Sequence, residues 1–205
     1  MKRFECLQAL APLVTDQIVV TSGSGQRVEW GHLSPHEGNL FVGSLGCALG
    51  VGLGLALCLP KRKVIVLESD GSLLLSLFNL PTVANENPPN LMVIVFDNQV
   101  YSGSKISHPT VTAGRTDLAL TARGAGIAGA VTVRNVAAFK KQMTAGIRRK
   151  GLRFIVAKVE ETLDHRGMAR PNVDLLENKY RFVRYLERTE GRAIFLHERG
   201  EGKKR

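Results

Sequence analysis

Two apolar runs, residues 64–67 and 91–96, each lead into an aspartate. The first continues as Glu-Ser-Asp-Gly-Ser through Asp70, and the second ends in Asp97 and Asn98. A carboxylate without a partner is costly to bury, so two strand ends of this kind point to a positive charge between them. Magnesium takes hard oxygen donors in octahedral order and often shares its shell with phosphates and water. Asp70 offers a carboxylate, Asn98 a side-chain carbonyl, and the loop beyond it backbone carbonyls. Gly71 permits close approach of the backbone to a phosphate, Ser72 adds a hydroxyl, and a helix starting near Ser72 turns its positive end towards an anion. The same residues also fit a plain strand-to-helix turn in which Asp70 caps the helix. Asp97 has a similar alternative, capping a turn or bonding to residues 99–104.

The elements that must position these groups alternate between the two periodicities. A helix is predicted over residues 1–13, with Phe4, Leu7, Leu10 and Ala11 on one face. Strands are predicted over 17–20, 64–67, 91–96, 129–133 and 154–159. Helices are predicted from near Ser44 to residue 59, and over 72–84, 116–124, 136–149 and 174–188, with Thr116 or Asp117 near the cap of the third of these. Residues 21–26 (TSGSGQ), 85–90 and 99–115 read as loops. This order predicts an α/β fold: three layers, with a mostly parallel sheet and helices on both faces. Ligands of such sheets bind at the carboxyl ends of the strands, where Asp70, Asp97 and Asn98 fall. No Walker A motif occurs, and the glycines of GVGLGLAL lie inside a helix, the wrong context for a dinucleotide fingerprint.

Bulk properties narrow the function. The 205 residues, 44% apolar, suit one domain over residues 1–190, followed by a basic tail (191–205) expected to be disordered. The net charge is +10, but it is diffuse: 15 Lys and Arg against 9 acids in residues 1–150, and 13 against 9 in the rest. With no nucleic-acid motif, this field suits a small anionic ligand rather than nucleic acid. Cys6, Cys47 and Cys58 form no CxxC pair and sit in apolar segments, which predicts buried free thiols in a reducing cytoplasm. Residues 41–59 carry no charge and are long enough to span a bilayer. They hold five glycines, however, and read as a buried helix packed closely on its neighbours, not as a membrane segment.

A family resemblance sharpens this picture. The stretch SDGSLLLSLFNLPTVANENPPNLMVIVFDN resembles the thiamine-diphosphate motif, which begins Gly-Asp-Gly and ends Asn-Asn. Ser69 stands for the first glycine, Asp97 for the first asparagine, and 25 residues lie between Gly71 and Asp97. The resemblance implies magnesium ligation by Asp70, Asn98 and the backbone carbonyl of Val100, with Gly71, Ser72 and Tyr101 beside the cofactor. VGSLGCALGVGLGLAL is similar to the segment that precedes the motif in these enzymes. The Gly43 carbonyl would then accept from the cofactor's 4′-amino group, next to Ser44, and Leu45 would wedge the cofactor into its bent form; otherwise Leu45 reads as a core leucine. TSGSGQ makes Ser22 and Ser24 further candidate contacts. DNQVYSGS, GRTDLALTARGAGI and ENKYRFVRYLE extend the resemblance over most of residues 1–190, towards the diphosphate-binding β-subunits of sulfopyruvate and phosphonopyruvate decarboxylases.

That resemblance implies a thiamine-diphosphate- and magnesium-dependent carboxy-lyase acting on a small anionic 2-oxoacid. It also implies an incomplete active site. A glutamate that activates the pyrimidine comes from a separate pyrimidine-binding domain, for which this chain is too short. Glu5, Asp16, Glu29 and Glu37 lie in the wrong places, so a pyrimidine-binding α-subunit is expected to dock near residues 43–57, with a homodimer open to the isolated chain. His32 and His36 are candidate catalytic proton donors, and Lys105, His108 and Arg115 candidate groups near the substrate. Carboligation, an oxidative 2-oxoacid reaction, or a non-catalytic assembly subunit that keeps the fold remain open alternatives.

Overall fold

The computed structural model describes residues 1–101, 107–161, 168 and 174–194, and of Ser24 the backbone alone. In chain order the elements are α1 (Arg3–Leu10) with a 3-10 turn (Ala11–Leu13), β1 (Ile18–Thr21), α2 (Ser24–Leu33), β2 (Asn39–Phe41), α3 (Ala48–Cys58), β3 (Val64–Ser69), α4 (Asp70–Leu74) and α5 (Asn79–Glu86). There follow β4 (Leu91–Asp97), β5 (Val100–Tyr101), β6 (His108–Pro109), a 3-10 turn (Val111–Ala113), α6 (Leu118–Gly124), β7 (Val131–Val133), α7 (Val136–Arg148), β8 (Arg153–Lys158) and α8 (Leu175–Glu190). Six strands form one parallel sheet in the order β2-β1-β3-β4-β8-β7, and β5 and β6 make a small antiparallel pair.

The central strand β4 is buried along its whole length, as a parallel strand covered on both faces must be. Alternate residues serve opposite layers. Val20, Val66 and Val93 pack under α3, α5, α6 and α8, whereas Val19, Ile65 and Ile94 pack against α1, α2 and α7. Helix α3 comes very close to the sheet because Gly52 has no side chain; a Cβ there would stand 2.2 Å from the Val66 side chain. The free edge of β2 is closed by Asn178 of α8, which accepts from Phe41 N–H at 2.8 Å and donates to the Asn39 carbonyl at 2.9 Å. A side-chain amide thus replaces a neighbouring strand.

Several local expectations change. Residues 21–26 do not remain a loop: Gly23, at φ +76°, turns the chain out of β1, and α2 begins at Ser24. The short strand β2 is an addition. Helix α3 starts at Ala48 rather than near Ser44, since Gly46 at φ +80° cannot be helical. The single helix expected over 72–84 is two, α4 and α5. Pro81 explains the break, because in a continuous helix it would leave a carbonyl unpaired and clash with the preceding turn, whereas in the first turn of α5 its missing N–H costs nothing. Residues 99–115 contain β5, β6 and the 3-10 turn. On α1 the buried face is Arg3, Cys6, Leu7 and Leu10, so Cys6 replaces Phe4. Only Cys6 is buried; Cys47 and Cys58 are exposed, contrary to the expectation of three buried thiols. Among the described residues no helix is long and apolar enough to cross a membrane. Most of the expected disordered tail, residues 195–205, lies outside the described residues.

The chain leaves β1 towards β2 on one side and returns to β3 on the other side of β1. Such a reversal opens a crevice at the carboxyl ends of β1 and β3. Ser22 follows β1 and Asp70 follows β3 at that crevice.

Candidate functional site

Asp70 is the first residue of α4, but it is not the cap. Ser69 holds that place, accepting from Ser72 N–H at 3.3 Å. The residue that departs from the motif's first glycine therefore does the capping and leaves the Asp70 carboxylate available. Asp70 is fully buried. Its Oδ2 accepts from the Thr110 hydroxyl at 2.7 Å and lies 3.1 Å from the Thr112 hydroxyl, whereas its Oδ1 has no hydrogen-bond partner among the described residues. Burial pushes its pKa above the ordinary carboxylate range, the Thr110 hydrogen bond opposes this, and the neighbouring Asp97 adds to it. A divalent cation at Oδ1 would relieve both the burial and the repulsion.

Asn98 stands one residue beyond the end of β4, its amide oxygen accepting from Val100 N–H at 3.3 Å. Asp70 Oδ1, the Asn98 amide and the Val100 carbonyl are hard oxygen donors of the kind magnesium takes, and the orphaned, buried Oδ1 is what fits this chain to the ion. Among the described residues no group of three His, Cys, Asp or Glu side chains could hold a metal. The rest of a magnesium shell would fall to the oxygens of a diphosphate and water. Asp97 takes no part: its Oδ2 pairs with Lys158 at 2.5 Å, and its Oδ1 accepts from Thr112 Oγ1 at 2.8 Å and Gln99 N–H at 3.2 Å.

Ser22 and Ser72, expected to meet the cofactor through their hydroxyls, turn inward instead. Ser22 donates to Glu68 and lies 3.1 Å from the Ser72 hydroxyl, which accepts from Gly46 N–H at 2.8 Å. The reason is Glu68, fully buried at the second-last position of β3. Burial raises its pKa, and the Ser22 hydrogen bond counters part of that rise. Glu68 needs those donors, and the network ties the segment around Gly46 to the start of α4. Sequence reasoning passed over Glu68, Thr110 and Thr112. An acid inside an apolar run was the available signal for the first; nothing local marks the threonines. Ser24 opens α2, and its side chain is outside the described residues.

Gly43, Ser44 and Leu45 are exposed at the same edge. Leu45 is 49% exposed, so it is no core leucine. A Cβ at Gly43 would meet Leu175 of α8 at 2.6 Å, and one at Gly71 would meet the Tyr101 ring at 2.5 Å. The room that Gly71 leaves is thus taken by Tyr101. His32 and His36 do not join the cluster. His32 lies in the last turn of α2 and His36 precedes β2, at the amino edge of the sheet. Asn39 is level with Val19 and hence Ile65, so Asp70 lies about 17 Å further along at ~3.3 Å per residue. His36 accepts from Gly38 N–H at 2.9 Å and meets the Tyr185 ring edge-on, a structural role. Glu29 forms a buried ion pair with Arg3, and Glu37 pairs with Arg188. His108 and Arg115 are exposed, and Lys105 lies outside the described residues.

Comparison with known proteins identifies the family. Residues 31–157 match the family described as "Thiamine pyrophosphate enzyme, C-terminal TPP binding domain". The chain is 30% identical to sulfopyruvate decarboxylase subunit beta of Methanocaldococcus jannaschii, over 92% of this chain and 98% of that protein. It is 28% identical to the subunit of the same name from Methanococcus maripaludis, over 92% and 99%. A phosphonopyruvate decarboxylase of Streptomyces viridochromogenes is 38% identical over 46% of this chain and 24% of its own length. Among solved structures, benzoylformate decarboxylase from Polynucleobacter necessarius superposes with a TM-score of 0.65 at 19% identity, covering 80% of this chain. The chain spans about a third of that structure's length (34%), so the likeness concerns the fold of one part. By that family match and the near-full-length likeness to the first of these subunits, the chain belongs to the family of thiamine pyrophosphate enzyme C-terminal, TPP-binding domains.

Proposed function

We propose that this chain is the diphosphate-binding β-subunit of a thiamine-diphosphate-dependent decarboxylase acting on a short anionic 2-oxoacid such as sulfopyruvate or phosphonopyruvate. The observation that carries the reading is the buried Asp70 oxygen with no hydrogen-bond partner among the described residues, within a chain matched over nearly its full length by sulfopyruvate decarboxylase β-subunits. When bound, the cofactor supplies a nucleophilic carbon and the electron sink that decarboxylation of a 2-oxoacid requires. The chain's residues hold and orient it. Asp70, Asn98 and the Val100 carbonyl would hold magnesium and through it the diphosphate. The Gly43 carbonyl would accept from the 4′-amino group, and Leu45, standing out of the protein, would support the bent form.

The pyrimidine end and its activating glutamate are assigned to a partner subunit. Leu45, Leu75 and Phe78 support this, since all three are exposed, Phe78 by 74%, and Leu75 packs beside Gly46 next to the site. Such an apolar group at a site rim suits a covering partner. Among the acids of this chain, Glu29 is engaged with Arg3 and Glu68 with Ser22. The test is CO2 release from sulfopyruvate and phosphonopyruvate, with thiamine diphosphate and Mg2+, by this chain alone and with a pyrimidine-domain subunit. Turnover is expected only from the pair. Turnover by the single chain would overturn the division of labour, and cofactor uptake without turnover of any 2-oxoacid would favour an assembly subunit.

A further inference from the structure

Asp70 is gripped from one side by two threonines to which the motif gives no role. Thr110 and Thr112 are 4% and 2% exposed, and both place their hydroxyls on Asp70 Oδ2, at 2.7 and 3.1 Å. The opposite oxygen, Oδ1, has no hydrogen-bond partner among the described residues. The two hydroxyls are 2.7 Å apart, and Thr112 also reaches Asp97 Oδ1 at 2.8 Å. With Thr110 donating to Asp70 and Thr112 to Asp97, each carboxylate receives one hydroxyl proton.

The threonines are locked to the other half of the site through Gln99, the residue after Asn98. Thr110 N–H donates to the Gln99 carbonyl at 2.9 Å, and Gln99 Nε2 donates to the Thr112 carbonyl at 2.9 Å. Gln99 N–H in turn donates to Asp97. Gln99 adopts φ +66°, a conformation that a non-glycine residue keeps only where its surroundings fix it. The segment returning from the β5–β6 pair is therefore fastened simultaneously to the end of β4 and to the carboxylate at the end of β3.

We propose that Thr110 and Thr112 are positioning residues for metal loading: the Thr110 hydroxyl fixes Asp70 by one oxygen so that the other stays available to the cation, the Thr112 hydroxyl holds Asp97 on its own partners, and fastening of their segment to Gln99 ties the end of β3 to the end of β4. This rests on the reading of Asp70 as a magnesium ligand. Outer partners of this kind change metal affinity by roughly 10- to 100-fold when removed.

The test uses the full chain with its pyrimidine-domain subunit, thiamine diphosphate in excess, and Mg2+ titrated while bound cofactor is read by calorimetry. Thr110→Val removes the hydroxyl and keeps the branch; its Mg2+ midpoint is expected to rise by roughly 10- to 100-fold, with Thr110→Ser near wild type. Thr112→Val is expected to act in the same direction, and repeats the measurement should Thr110→Val not fold. Midpoints of the Val variants within about twofold of wild type, or an equal rise in Thr110→Ser, overturn the proposal, because packing rather than the hydroxyl would then decide. Wild-type uptake that ignores Mg2+, or that Asp70→Asn leaves intact, overturns instead the reading of Asp70 on which the proposal rests.

Discussion

Asp70 and Asp97 occupy equivalent places on adjacent strands and have opposite fates. The β3–β4 register pairs Ser69 with Phe96, which puts the two aspartates side by side, both fully buried. Asp97 lies opposite Lys158 in the β4–β8 ladder and is served by that ammonium, a hydroxyl and a backbone N–H. Asp70 has two hydroxyls against one oxygen and, among the described residues, no hydrogen-bond partner on the other. One strand end is electrically closed by the protein; the other has no counter-ion among the described residues, and it is the end proposed to meet magnesium. The departure of Asp97 from the motif's asparagine fits this contrast, since the extra negative charge comes with its own counter-ion.

Breaking the closed end should have the largest effect on folding. Asp97→Ala leaves Lys158 facing a partly buried gap and should lower unfolding free energy by about 3 kcal/mol, read by urea denaturation without ligand. Comparable loss in Asp70→Asn would dissolve the distinction. That variant is expected to fold as stably as wild type while its Mg2+-dependent affinity for thiamine diphosphate falls roughly 100-fold, about 2.7 kcal/mol, measured by calorimetry on the assembled protein.

Cys6 offers a smaller reporter from the other side of the sheet. Burial holds its thiol protonated up to about 12, against an ordinary value of 9.0. A raised folded value means that the stability is intact below pH 9 and is lost as pH climbs from 9 towards 12. Linkage puts the loss at about 1.4 kcal/mol by pH 10, absent in Cys6→Ala. At pH 8 a thiol reagent should modify the exposed Cys47 and Cys58 at once, and Cys6 only as the fold opens. Cys6 should therefore react faster in Asp97→Ala and unchanged in Asp70→Asn. The smallest effect is expected for the double variant His32→Gln, His36→Gln, with turnover of the assembled enzyme within about twofold of wild type; a larger drop would mean that the amino edge reaches the chemistry through the partner.

Legibility followed the range of the interactions. Continuous apolar runs marked β3 and β4, and the 3.6-residue period marked α1, because their neighbours are a few residues away. Pro81 was visible but its consequence, the break between α4 and α5, required knowing that a first turn tolerates proline where a helix interior does not. Strand β2 is three residues long and carries no periodicity to read. Its position depends on pairing with β1 and on Asn178, 139 residues beyond Asn39. The two histidines misled because a helix carried them to the amino edge, in a segment that reads as loop.

The sequence by itself determined the class of the molecule: alternating strands and helices, a parallel sheet with both faces covered, and two strand ends that present Asp70 and Asn98. Those follow from local patterning and from the cost of burying apolar and charged groups. Only the tertiary structure decided which carboxylate has its own counter-ion. Lys158 is 61 residues from Asp97, and Thr110 is 40 from Asp70. The turning inward of Ser22 and Ser72 belongs with these, since it depends on where β1 and β3 bring their ends together around Glu68. Charge balance at a buried site is set by whatever the fold places within about 3 Å, and separation along the chain carries no record of that.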